Sequence, residues 1–150
     1  MGIVSSFEVS ASGLTAERVR MDVISNNLAN INTTRTATGE PFRRRHVVFA
    51  SGEQEMGFAG RLRAALGRHD ASVTGVRVVQ IAEDTGPLKR VHNPGHPEAD
   101  PATGFVLLPN VEPVMEMVDL IAATRAYDAG VSAIGAAKQM QQRALEIGRG

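Results

Sequence analysis

The first apolar pattern of the chain lies near its start and has helical spacing. One position of a seven-residue repeat is held by Phe7, Leu14, Met21 and Leu28. Ala11, Ile24 and Ile31 fill the intervening positions, three or four residues away. This pattern predicts a helix over residues 3–31, and its period near 3.5 residues is typical of a coiled coil. A threonine-rich stretch followed by Gly39 and Pro41 ends the segment.

A second helical pattern covers residues 112–147. One repeat position is held by Met117, Thr124, Val131 and Leu145, and the other by Leu120, Tyr127 and Ile134. Beyond Ile134 the apolar positions shift to Ala137, Met140, Ala144 and Ile147. Pro113 stands where the first turn of a helix tolerates proline. A helix of about 36 residues would be roughly 54 Å long, far above the usual length.

The middle of the chain has a different character. Short runs rich in Val, Ile and Phe predict strands at HVVFA, VTGVRVVQIA, PLKRV and GFVLLP. Five of the seven prolines lie between residues 87 and 109, which excludes a helix there. We therefore predict an α+β fold with a terminal helix in 1–35, a β-rich region in 36–110 and a second terminal helix in 111–150. Residues 51–72 are rich in glycine, and we expect a mobile connection there.

Composition narrows the possible functions. The 150 residues carry 16 Lys and Arg against 16 Asp and Glu, so the net charge is zero. This balance argues against a protein that mainly binds nucleic acid or an anionic membrane. The absence of cysteine excludes disulfides, thiol catalysis and thiolate metal sites. Neither a membrane-spanning apolar run nor a Sec-type signal peptide is apparent, so we expect any export to use another route.

Candidate chemistry is sparse. His92, His96 and Asp100 have the four-residue spacing of zinc ligands on a helix, but the interspersed prolines prevent that helix. We interpret these histidines as capping turns in a stiff loop, and keep a small metal-binding protein as an alternative. Phosphate-binding loops and nucleophile motifs are absent from the sequence. We therefore expect no catalytic residue, cofactor, bound metal or small-molecule substrate.

Two polar clusters remain. The basic run Arg43-Arg44-Arg45-His46 is expected to lie on the surface of the first strand. We expect it to pair with acidic groups on a neighbouring chain. Four asparagines crowd the end of the first helix, at Asn26, Asn27, Asn30 and Asn32. They can cap the helix end, or one of them can be a buried amide that fixes the register of packed helices.

The segment SGLTAERVRMDVISNNLANINTT resembles the N-terminal signature of the bacterial flagellar rod, hook and hook-filament family of axial proteins. The matching residues are Gly13, Leu14, Asn26, Asn27, Leu28, Ala29, Asn30 and Thr33. The segment HNPGHPEADPATGFVLLPNVEPVMEMVDLIAATRAYDAG resembles the small proximal-rod branch of that family. Gly130 departs from the family pattern, which usually has Asn there, and the loop from Asp100 to Gly104 is one residue longer.

The resemblance implies a structural subunit of a hollow helical rod that transmits torque, and not an enzyme. It implies that the terminal helices pair as a coiled coil lining the inner tube, with the β-rich region outside. The implied partners are other rod proteins, the hook-basal body adaptor protein and the flagellar type III export apparatus, with self or near-homologue association through the terminal helices. The implied place is the periplasm-spanning rod, reached without a cleaved signal peptide. A non-flagellar coiled-coil adaptor remains the alternative.

The residues expected at assembly interfaces are apolar repeat positions and asparagines of the two helices. They are Phe7, Leu14, Met21, Ile24, Asn26, Asn27, Leu28, Asn30, Met117, Leu120, Thr124, Tyr127, Val131, Ile134 and Met140. We expect a lateral contact from a loop containing His96, Pro97, Pro109, Asn110 and Val111.

Overall fold

The computed structural model of the chain describes residues 3–51 and 75–148, and side chains from residue 7 onward. The elements are α1 (Ile3–Ala29), β1 (Arg45–Ser51), β2 (Val76–Glu83), β3 (Lys89–His92), β4 (Phe105–Leu108) and α2 (Pro113–Ile147). This architecture agrees with the α+β class and with both predicted helices. The expected mobile connection lies almost wholly outside the described residues. No helix in the described ranges is long and apolar enough to cross a membrane.

The two long helices pack against each other in opposite directions. The Asn27 amide of α1 bonds to Glu116 of α2, and near the middle the Thr124 hydroxyl lies 3.7 Å from the sulfur of Met21. Farther along, Leu14 of α1 approaches the backbone of Gly130 so closely that a Cβ there would lie 2.8 Å from a Leu14 methyl. Residue numbers therefore rise on one helix as they fall on the other.

The side of α2 that faces α1 follows a regular alternation of four and three residues. Its least exposed positions are Glu116, Leu120, Ala123, Tyr127, Gly130, Ile134 and Ala137. Leu120, Tyr127 and Ile134, which share one predicted repeat position, lie on this side of α2. At the other predicted position, Met117 and Val131 are 52% and 47% exposed, whereas the Thr124 hydroxyl lies against Met21 of α1.

The choice of residues on the side of α2 that faces α1 has a steric cause. The predicted repeat is recognised by its large apolar side chains. On the side of α2 that faces α1, however, every second contact position is a small residue: Ala123, Gly130 or Ala137. Small residues let two helices approach closely, so the contact selects them over the neighbouring Met117 and Val131. Gly130, the departure from the family pattern, makes room for Leu14.

Two antiparallel strand pairs complete the fold. β1 pairs with β2 from Arg45 opposite Glu83 to Ser51 opposite Val76, with a bulge between Val48 and Phe49. This pair packs on α1, so α1 lies between the sheet and α2. The backbone N–H of Val76 donates to the Ser12 hydroxyl at 3.0 Å, which ties the start of β2 to α1.

The second strand pair leads into α2. β3 and β4 are in register from Lys89 opposite Leu108 to His92 opposite Phe105. Gly104 closes their connecting loop with a φ of 70°, which glycine adopts at low cost. Val106 on β4 and Val111 just before α2 are buried. Buried side chains thus lie on β4 and just before the start of α2, as well as on α1.

Gly130 and Gly135 offer a matched test of helix contact. We expect Gly130→Leu to lower the free energy of unfolding by about 1–3 kcal/mol, because the new side chain must displace Leu14. Gly135 has open space around it among the described residues. Gly135→Leu should therefore leave stability unchanged or raise it by up to about 1 kcal/mol through helix propensity. Urea denaturation measures both, and equal losses would contradict the observed phase of α2.

Candidate assembly site

A buried polar junction joins α1, the segment before β1 and the first turn of α2. We use this term for Asn27, Arg44, Glu116 and Asp119, together with Asn110. Asn27 and Glu116 are both fully buried, with 0% exposure. Burying polar groups is costly unless each finds a hydrogen-bond partner, so their partners decide whether the junction stabilises the fold.

Both the nitrogen and the oxygen of the Asn27 side-chain amide form hydrogen bonds. Its Nδ2 donates to the Arg45 carbonyl at 2.8 Å and to Glu116 Oε2 at 3.0 Å, and its Oδ1 accepts from the Arg45 N–H at 2.9 Å. The pair of bonds to Arg45 imitates a neighbouring strand, because both the donor and the acceptor of one backbone unit are satisfied. The amide thereby attaches the start of β1 to α1 and to α2 at once.

Arg44 neutralises the buried carboxylate. Its Nε donates to Glu116 Oε1 at 2.5 Å, and its Nη2 donates to Asp119 Oδ2 at 3.0 Å. The bond to Glu116 is the main cause that raises the pKa of Arg44, and burial opposes it. The Arg44 backbone N–H also donates to Asn110 Oδ1 at 2.8 Å. One arginine therefore connects the segment before β1 with α2 and with the residue pair that follows β4.

The basic run pairs within the chain, contrary to the expected contact with a neighbour. Arg44 binds Glu116 and Asp119, Arg45 binds Glu83 at 2.9 Å, and Arg43 donates to the Gly86 carbonyl at 3.3 Å. The physical reason is proximity, since β1 lies beside β2 and the start of α2 supplies two carboxylates. His46 is exposed.

The asparagines divide between the two roles that the sequence left open. Asn27 is the buried amide that fixes the packing of the helices. Asn30 caps the end of α1, because its amide donates to the Asn26 carbonyl at 2.9 Å and its Oδ1 accepts from the Thr33 hydroxyl. Asn26 and Asn32 are exposed.

The histidine loop forms turns. His96 Nδ1 accepts from the Glu98 N–H at 3.1 Å, and the His92 ring stands edge-on to Phe105 with centroids 5.3 Å apart. Asp100 accepts from the Thr103 hydroxyl and the Ala102 N–H, and these bonds lower its pKa. Across residues 3–51 and 75–148, no group of three or more His, Asp or Glu side chains is placed to hold a metal ion.

The expected lateral loop is only partly at the surface. Pro109 and Val111 are buried, and Asn110 is bonded to Arg44. These three residues therefore serve contacts within the chain. His96 is half-buried and Pro97 is exposed, so only they offer surface to a neighbour.

The residues expected at assembly interfaces also fall into two groups. Ile24 is buried, and the other apolar positions named on α1 are half-buried: Phe7, Leu14, Met21 and Leu28. On α2 several apolar side chains are exposed on faces turned away from α1. The largest group covers its first turns and comprises Val114, Met115, Met117, Val118 and Ile121, each more than half exposed. Exposed apolar patches of this kind are typical of interaction surfaces.

Comparison with known proteins gives this arrangement its context. Residues 7–35 match the family model for flagella basal body rod protein, and residues 102–147 match that for the flagellar basal body rod FlgEFG protein C-terminal region. The flagellar basal-body rod protein FlgC of Borreliella burgdorferi is 42% identical, with 100% of each chain covered. That of Bacillus subtilis is 45% identical, with 96% of this chain and 97% of the relative covered. That of Escherichia coli O157:H7 is 36% identical, with 99% and 100% covered.

The chain belongs to the FlgC family of flagellar basal-body rod proteins. The resemblance drawn from the sequence motifs is thereby confirmed. The first family segment contains Asn27 and the second contains Glu116, so the buried junction joins the two segments that define the family. Arg44 lies between them in sequence. Members of this family are structural rod proteins and not enzymes.

Sequence reasoning missed Arg44, Glu116 and Asp119 as a unit. One signal was available, because Glu116 stands four residues before Leu120 and seven before Ala123, on the side of α2 that packs against α1. An acidic residue at such a position requires a buried partner. The sequence could not name that partner, since Arg44 is 72 residues away.

Asn27 and Asn26 provide the test of the junction. Asn27→Ala removes three bonds and leaves the Arg45 backbone and Glu116 without their partner. We expect the free energy of unfolding to fall by at least about 2 kcal/mol. Asn26 is exposed, so Asn26→Ala should change it by no more than about 0.5 kcal/mol. Chemical denaturation distinguishes the two, and equal effects would argue that Asn27 is not a structural amide.

Thr103 controls the ionisation of Asp100. The Thr103 hydroxyl is the largest cause of the lowered Asp100 pKa, so Thr103→Val should move that pKa upward toward its ordinary value. Thr85→Val, in an exposed turn, should leave it unchanged. Carboxyl chemical shifts followed by NMR during acid titration measure the pKa. A pKa of Asp100 that is the same in both variants would contradict the hydrogen bond.

Proposed function

We propose that this chain is a structural subunit of the proximal rod of the flagellar basal body and assembles with other axial proteins into a helical tube that transmits torque. The observation that carries the proposal is the similarity to FlgC proteins over essentially the whole chain. A coiled-coil adaptor outside the flagellum would share the repeats of apolar residues but not this similarity. The metal-binding alternative finds no ligand set among the described residues.

The packing of the two helices suits a load-bearing subunit. α1 and α2 lie antiparallel along most of their length, with contacts at four- and three-residue intervals, which is the spacing of a coiled coil. We infer that α1 and α2 form a coiled coil in the rod and make up its inner layer. The β-rich region would then lie outside this layer. The junction of Asn27, Arg44 and Glu116 would then carry twisting force from the outer part to the helices.

Exposed side chains identify the surfaces for neighbours. Met117, Val131 and Met140 are about half or more exposed, so they are available to helices of adjacent subunits. Leu14, Met21 and their partners on α2 instead hold the helix pair together. Lateral contacts would come from His96 and Pro97, which lie at the surface of the β3–β4 loop.

Partners and location follow from the same proposal. The neighbours would be other flagellar rod proteins and the hook-basal body adaptor protein. The chain would leave the cell through the flagellar type III export apparatus without cleavage of a signal peptide, and reach the periplasm-spanning rod. A net charge of zero fits packing among protein neighbours.

Ile121 tests the proposal, because it is 55% exposed on the free chain. Ile121→Asp should leave the folded chain stable, yet a rod that buries this position would contain an unpaired carboxylate in every copy, at several kcal/mol each. We expect soluble, folded protein, few or no basal bodies and loss of swimming. The readouts are circular dichroism of the purified chain, counts of basal bodies and motility in agar.

Gln142 is the matched control. It is exposed and already polar, so Gln142→Asp should fold, assemble and swim nearly normally. If the Ile121→Asp strain swims like the wild type, this face of α2 is not part of the assembly surface. Absence of the wild-type chain from purified basal bodies would overturn the proposed function itself.

A further inference from the structure

A cavity of about 390 Å³ lies between α1, the β1–β2 strand pair and α2. Its walls are mainly apolar and are formed by Leu14 and Ala16 on α1, Phe49 and Val76 on the strands, and Ala126 and Gly130 on α2. Because Ala126 and Gly130 have small side chains or none, α2 leaves this space unfilled. A cavity of about 150 Å³ already holds a benzene ring, so this one has room for more than one side chain.

One charged group in the cavity wall lacks a hydrogen-bond donor. Glu17 lines the cavity and its Oε2 is buried, yet no donor among the described residues bonds to this oxygen. Arg20 Nη1 lies 3.9 Å from it, which is beyond hydrogen-bond distance. A buried carboxylate oxygen without a donor is costly. The cavity therefore favours an occupant that brings a cation together with apolar side chains.

The connection between β1 and β2 leaves and re-enters the described structure beside this cavity. β1 ends at Ser51, two residues after Phe49, and β2 begins at Val76, and both Phe49 and Val76 line the cavity. The Ser12 hydroxyl accepts from the Val76 N–H at 3.0 Å, which holds this end of the connection against α1. Seven residues of extended chain span roughly 23 Å, so Phe58, seven residues after Ser51, is within reach of the cavity.

The sequence of the connection supplies the chemistry that the cavity favours. Phe58, Leu62 and Leu66 recur every four residues, which is the spacing of one apolar helix face. Arg61 stands three residues after Phe58 and therefore flanks that face. Residues 58–68 contain three arginines and no acidic residue. This segment can thus bring apolar side chains and a cation to the same place.

We propose that the occupant of the cavity is this segment of the same chain, with Phe58 and Leu62 inside it and Arg61 paired with Glu17. The inference goes beyond the proposed function and does not depend on it. It differs from the mobile connection that the glycine content predicts. The strand pair is then tied to the helices at a second place, since Glu17 lies ten residues, or roughly 15 Å along α1, from Asn27 of the buried junction.

Disulfide formation tests the position of the segment, because the natural chain has no cysteine. The full chain with Ser10→Cys and Leu62→Cys is purified, diluted and oxidised, and the products are separated on non-reducing gels and identified by mass spectrometry. Ser10 lines the cavity, so we expect an intramolecular disulfide to form at least ten times faster than in the control. The control is Glu8→Cys with Leu62→Cys, because Glu8 is exposed and lies on the other side of α1 from Ser10.

A charge exchange tests the ion pair. Glu17→Arg should lower the urea midpoint of unfolding by at least about 0.5 M, because it places like charges together. Adding Arg61→Glu should recover at least half of that loss, whereas adding Arg63→Glu, on the other side of the segment, should not. Disulfides that form only between two chains, equal rates for both cysteine pairs, or equal recovery by both second substitutions would overturn the inference.

Discussion

The burial of Glu116 between the two helices is the constraint on which the rest of the structure depends. A carboxylate with 0% exposure must be neutralised and fully bonded, and Arg44 and Asn27 supply those bonds. Removing one member of a buried ion pair costs about 3–5 kcal/mol, which is a large part of the stability of a small domain. The positions of α1, the start of β1 and α2 are therefore fixed together, because α1, the residue before β1 and α2 each contribute one partner.

Fixing this register determines which surfaces stay free. With Glu116 opposite Asn27, the small residues Ala123 and Gly130 face α1 between Leu120, Tyr127 and Ile134. The chain thus alternates large and small residues in its internal contact and leaves several methionine, valine and isoleucine side chains of α2 exposed. Flexible methionine side chains adapt well to irregular neighbours, which suits a subunit that meets several related proteins.

The same junction supplies directional contacts in a fold that contains few aromatic residues. Phe42 is buried near the junction, and the core otherwise consists of small aliphatic side chains. Directional bonds from Arg44 to both Glu116 and Asp119 constrain orientation more tightly than such packing does. The guanidinium therefore links the strand region with the long helix, and we expect this link to resist rotation between them.

The sequence by itself determined the two helices, the four strands, their approximate bounds and the family. Apolar spacing and turn residues act over a few positions, so they can be read without knowing the fold. Only the tertiary structure decided which side of α2 meets α1, which asparagine is buried and which carboxylates the arginines bind. A helix that is apolar on several sides gives no unique phase, and Asn27 and Arg44 find Glu116 at separations of 89 and 72 residues. Such pairings depend on where the chain returns in space, which local patterns along the sequence do not encode.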